Sequence, residues 1–102
     1  MDKSQVLEKA IQYATLVSEK IKPLKVILYG SYAKGNWKEG SDIDIAVVVD
    51  TVDGDFLETE AMLYKLRRDI DDRIEPVLFE EENDVSGFLC EILKYGQVIY
   101  SV

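Results

Sequence analysis

A chain of 102 residues with 47% hydrophobic and 31% charged content has the makings of one folded domain, spanning 1–102, and excludes a disordered tail. A net charge of −8 argues against a dedicated nucleic-acid binder, because neutralising phosphates takes clustered Lys and Arg. The absence of His removes the commonest general base and transition-metal ligand, so catalysis here has to run on carboxylates, hydroxyls and a hard metal. The lone Cys90 permits no internal disulfide, and no signal peptide or 18-residue apolar span is visible, which fits a reducing cytoplasm and no membrane span.

Taken in chain order, Ser4 to Ile21 reads as an amphipathic helix, with Leu7, Ala10, Ile11, Ala14, Val17 and Ile21 at helical spacing and Pro23 as its stop. Leu24 to Tyr29 is a short apolar run closed by Gly30, the pattern of a buried strand. Ser31 to Gly40 is rich in turn-formers and is expected to be a short helical turn plus loop. Ile43 to Val49 is β-branched and apolar, with Asp42 and Asp44 at its start, and predicts a second strand.

Asp55 to about Asp72 predicts a helix with Phe56, Leu63, Leu66 and Ile70 on one side. Its acids lie early and Lys65, Arg67 and Arg68 late, as the helix dipole favours; Arg67 and Arg68 read as a solvated face rather than a triphosphate contact. Glu75 to Phe79 predicts a third strand, with Pro76 suited to a first position or an edge. Asn83 or Asp84 would cap a last helix running to Tyr95, with Val85, Phe88, Leu89, Ile92 and Leu93 inward and Cys90 in the core. Gln97 to Tyr100 is a closing strand. The order α-β-β-α-β-α-β predicts an α/β (α+β) fold: a small mixed sheet of about four strands flanked by helices.

The chemistry concentrates in Gly30-Ser31 and, ten residues on, Asp42-x-Asp44. A Gly-Ser turn offers backbone N–H groups and a hydroxyl to phosphate oxygens. Two carboxylates at i and i+2 of a strand project from one face about 7 Å apart and can share a divalent cation, with oxygen ligands favouring Mg²⁺ or Mn²⁺. Either half alone is ordinary: a glycine after a strand makes turns, and an acidic pair at a strand entry solubilises a sheet end. At average residue usage the four fixed positions together arise by chance in about one chain per thousand of this length.

Gly30-Ser31, the intervening Tyr32-Ala33-Lys34-Gly35, Ser41 and Asp42-x-Asp44 resemble the signature of the nucleotidyltransferase fold superfamily, and the short acidic chain is similar to its minimal members, the MNT antitoxins paired with HEPN-domain toxins. The resemblance implies ATP bound with Mg²⁺, two ions in number, and transfer of AMP to an acceptor hydroxyl, a tyrosine of a HEPN toxin. It places the catalytic and metal-binding carboxylates at Asp42, Asp44 and Glu75, and the nucleotide contacts at Gly30, Ser31 and Lys34. Position 75 is usually Asp and position 34 often Arg in similar proteins; Asp71, Asp72 and Glu80 are the other acids near the third position. Two rival readings are a binding module that neutralises its partner by occlusion and a nucleotide-sensing regulator. Trp37, in a polar loop, reads as a partner or base-stacking contact.

Overall fold

The structure, a computed structural model, describes residues 2–38, 40–52, 54–81 and 87–102. Helix α1 (Lys3–Lys20) starts at a reciprocal cap in which Asp2 and Gln5 satisfy each other's backbone N–H. Strand β1 (Lys25–Tyr29) leads into a single helical turn, α2 (Ser31–Lys34), and then β2 (Ile43–Val49). Helix α3 (Phe56–Leu66), capped by the Asp55 side chain, gives way to a 3₁₀ turn at Arg67–Asp69 before β3 (Ile74–Glu80); α4 (Phe88–Tyr95) and β4 (Gln97–Ser101) close the chain.

The four strands lie in the order β3-β2-β1-β4. β1 runs antiparallel to both β2 and β4, while β2 and β3, joined through α3, are parallel. This is the expected small mixed sheet with flanking helices. Pro76 is the third residue of β3 rather than its first, and an edge strand tolerates it because the missing N–H faces no partner strand.

Alternation along the strands divides the two faces unequally. Val26, Leu28, Ile43, Ile45, Val47, Ile74 and Leu78 pack against α1 and α3 in the main core. Ile27, Ala46 and Val48 face the other way, where Leu89 and Ile92 of the eight-residue α4 cover them. Among the described residues, that second face carries helix over only part of its area.

Several side chains fall elsewhere than expected. The buried stripe of α1 is Val6, Ala10, Tyr13, Ala14 and Val17, leaving Ile11 exposed. Tyr13 goes inward because its hydroxyl finds the Leu63 carbonyl at 2.7 Å, which meets the requirement that a buried phenol be hydrogen-bonded. Phe56, Phe88, Leu93 and Cys90 are exposed, since α4 lies on a narrow strip of sheet and Phe56 begins its helix at the rim. The proposed caps Asn83 and Asp84, and Val85, lie outside the described residues. No described helix is long and apolar enough to cross a membrane.

The turn into β3 is held by Asp71, whose carboxylate accepts from Lys9 Nζ at 2.9 Å, Arg73 Nε at 3.1 Å, Arg73 Nη2 at 3.0 Å and the Arg73 N–H at 2.8 Å. These donors, hydrogen bonds from Arg73 foremost, hold the Asp71 carboxyl well below the usual carboxylate range. Asp71→Asn is expected to lower stability by about 2 kcal/mol, the range for a lost charge-assisted cluster. The sign follows from linkage: a depressed folded-state pKa contributes fully above the unfolded value of 3.8 and is lost as pH falls through the folded one. Chemical denaturation at pH 7 and pH 3 should therefore show the gap between variant and wild type narrowing in acid.

Candidate active site

The functional side chains gather on the half-covered face, at the end of the sheet where β1 leaves and β2 and β3 begin. Strand register sets Tyr29 beside Asp44 and Asp44 beside Glu75, one row across three strands. Asp42, just ahead of β2, has the same parity as Asp44 and is exposed. Partial burial, with Asp42 and Glu75 as like-charged neighbours, pushes the Asp44 carboxyl up to about 6. Burial, followed by the charge of Asp44, pushes the Tyr29 phenol up to about 12, so it stays protonated.

Gly30 follows directly, at φ 74° and ψ −150°, a region open essentially only to glycine. A Cβ there would overlap the Asp44 Oδ2 and stand 3.0 Å from its Cγ. The turn backbone is therefore pressed against the acid. Gly30 caps α2 without a side-chain hydrogen bond, and while the Lys34 N–H donates to the Gly30 carbonyl at 3.0 Å, the leading N–H groups of Ser31, Tyr32 and Ala33 are left to partners outside the turn. Lys34, at the end of that turn, is exposed with Nζ 5.5 Å from the Tyr95 ring centroid. It lines a cleft of about 220 Å³ together with Tyr29, Gly30, Phe88, Ile92 and Tyr95.

Glu75 is engaged from α3. Its Oε2 accepts from the Tyr64 hydroxyl at 3.3 Å, and its Oε1 lies 3.5 Å from Arg67 Nη1. The same Arg67 nitrogen donates to the carbonyls of Asp72 and Ile74, each at 3.0 Å. Arg67 is thus a site residue and not part of a solvated helix face; only Arg68 is left exposed. These bonds also end α3 at Leu66 instead of Asp72, because the chain must turn to bring both carbonyls to one guanidinium. Tyr64 escaped the sequence reading, which weighs Arg67 as a triphosphate contact and assigns it to a solvated face, although the i, i+3 spacing puts both on one helix side.

Of the other acids, Asp71 is committed to Lys9 and Arg73, and Glu80 Oε2 accepts from the Val52 N–H at 3.1 Å at the far end of β3. Trp37 is not a free contact: it is half-buried and stacks on the buried Tyr32 ring at 5.7 Å. Among the described residues no three acidic side chains stand in a ready metal-ligating arrangement. The donor set nevertheless fits a hard cation, since Asp44 and Glu75 are register neighbours with Asp42 of the same parity, and carboxylate oxygens are the ligands such an ion takes.

Comparison with known proteins agrees with this geometry. Residues 9–102 match the family described as polymerase beta, nucleotidyltransferase. A Methanocaldococcus jannaschii protein named for protein adenylyltransferase activity is 31% identical over 87 residues, covering 81% of this chain and 83% of the relative. A Sulfolobus solfataricus nucleotidyltransferase crystal structure superposes with a TM-score of 0.70 over 97% of this chain and 83% of that one, at 20% identity, which speaks for the fold alone. The MNT antitoxin in complex with a tri-AMPylated HEPN toxin from Shewanella oneidensis gives a TM-score of 0.64 at 25% identity, over 95% of this chain and 73% of that one. A row of acids abutting a Gly-Ser turn, on this sheet and with these relatives, places the chain in the polymerase beta nucleotidyltransferase family, among its minimal members.

Proposed function

We propose that this nucleotidyltransferase is a Mg²⁺-dependent protein adenylyltransferase that moves AMP from ATP to a tyrosine hydroxyl of a cognate HEPN toxin, acting as its antitoxin in the cytoplasm through one domain spanning 1–102. The observation that carries the reading is the contact of Gly30 with Asp44, which brings a phosphate-binding turn against a carboxylate built to meet positive charge. The named activity of the 31%-identical relative and the AMPylated toxin bound to the S. oneidensis antitoxin support the same reaction here.

In this mechanism Ser31, the N–H groups after Gly30 and Lys34 hold the distal phosphates. Asp42 and Asp44, joined by Glu75 for a second ion, would hold Mg²⁺, which supplies positive charge to the phosphate oxygens when bound. The acceptor hydroxyl attacks the α-phosphorus in line, and pyrophosphate leaves. Glu75, at the edge strand and half-exposed, receives the hydroxyl proton; Tyr64 and Arg67 orient it.

Incubation with the cognate HEPN toxin, labelled ATP and Mg²⁺ tests the reading. Label and mass gain are expected on a toxin tyrosine, and both should vanish with the Asp42→Asn, Asp44→Asn double variant. An unmodified toxin that the double variant still neutralises fully would mean neutralisation by occlusion instead.

A further inference from the structure

The proposed proton acceptor already has a tyrosine hydroxyl on it, and that tyrosine belongs to this chain. Tyr64 lies on α3, 40% exposed, and donates to Glu75 Oε2 at 3.3 Å. The Arg67 guanidinium stands 5.0 Å from its ring centroid while reaching the other Glu75 oxygen, so ring and carboxylate are held by one cation. Glu75 is in turn the register neighbour of Asp44.

The other phenols around the site are placed differently. Tyr95 is exposed in the cleft, with its ring beside the Lys34 and Lys94 ammonium groups. Tyr13 is buried and donates to the Leu63 carbonyl. Tyr29 is half-buried, with its ring edge-on to Phe88 at 6.1 Å. Among these described phenols, Tyr64 combines exposure with a hydrogen bond to a carboxylate able to take its proton.

We propose that Tyr64 is itself an acceptor, and that the chain adenylylates its own Tyr64 hydroxyl in cis. This rests on the adenylyltransferase reading above. The Tyr64 oxygen bonds to the α-phosphorus of ATP as the bond from that phosphorus to the bridging oxygen breaks. The phenol proton passes to Glu75, and pyrophosphate leaves with the electron pair. The product is a Tyr64–AMP phosphodiester, which occupies the approach to Glu75 and slows transfer to any second acceptor.

The test gives the full chain ATP and Mg²⁺, alone and beside the cognate HEPN toxin, followed by intact-mass and tandem mass spectrometry. One AMP per chain is expected, mapped to Tyr64, with a first-order rate constant that does not change on dilution of the protein. Tyr64→Phe and the Asp42→Asn, Asp44→Asn variant should each stay unmodified. A chain that labels the toxin while remaining bare itself, or that carries AMP on another residue, overturns self-transfer and leaves the proposed function standing. A rate constant that rises with protein concentration overturns the cis geometry. Failure to label either protein removes the adenylyltransferase reading, and self-transfer with it.

Discussion

Asp44→Asn is expected to lower AMP transfer at least about 10³-fold while raising the thermal stability of the metal-free protein. On the proposed mechanism the loss follows from removing the carboxylate at the centre of the row, where a bound cation would contribute several kcal/mol to a phosphoryl transition state. The gain follows from the same crowding seen without the cation. Partial burial and the charges of Asp42 and Glu75 lift the Asp44 carboxyl to about 6, above its ordinary 3.8. A raised folded-state pKa means the folded protein binds the extra proton, so that contribution is fully present below pH 3.8 and lost as pH rises through 6. At pH 7.5 the ionised Asp44 therefore opposes folding. Discounted for its half-exposure, the penalty is about 1 kcal/mol, or about 4–8 °C in Tm for a domain of this size. Melting curves from pH 4 to 8 in chelator should show the variant's advantage growing with pH. A variant that is less stable than wild type at pH 7.5 would show that the carboxylate is not under electrostatic strain.

Gly30→Ala is expected to cost both fold and chemistry. The backbone at φ 74° and ψ −150° is hostile to any Cβ, and such strain amounts to about 1–3 kcal/mol. The added methyl also meets the Asp44 carboxylate. Relief comes from the turn, which would carry Ser31 away from the acids, or from a swing of the Asp44 carboxylate, which would take it out of the row. A loss of about 3 kcal/mol in denaturant titration and at least about 10²-fold in AMP transfer is the expected pair of results, the second because small misplacement of reacting groups costs that much. Gly35→Ala is the matched control: its φ is also positive, at 85°, but nothing lies within 4 Å of the added Cβ. Stability should fall there by about 1 kcal/mol, with transfer largely kept.

What could be read from the residues alone was what short-range pattern dictates. The β-branched run Ile43–Val49 has one reading, and it is the buried strand at the sheet's centre. The Gly-Ser turn and Asp-x-Asp pair were legible because their spacing along the chain is itself the signal. Contacts between distant segments were not legible. The inward turn of Tyr13 depends on a carbonyl fifty positions away. Arg67 reads as one more charge on a helix until β3 returns to bring Glu75 and two carbonyls beside it. Cys90 shows a different limit. Periodicity places it among apolar neighbours but cannot tell how wide a strip of sheet the helix covers, and α4 covers too little to bury it.

That narrow cover has a consequence for how the reaction is protected. With α4 as the described helix over the acid-bearing face, the chamber has a floor and one wall. Water competes with any acceptor for the α-phosphorus wherever the remaining side stands open. On the proposed function an acceptor protein docking on that side would supply the wall, which would make docking and desolvation one event. Discrimination between a proper target and water is thereby delegated to the shape of the target, and the enzyme's economy with ATP becomes a property of the pair.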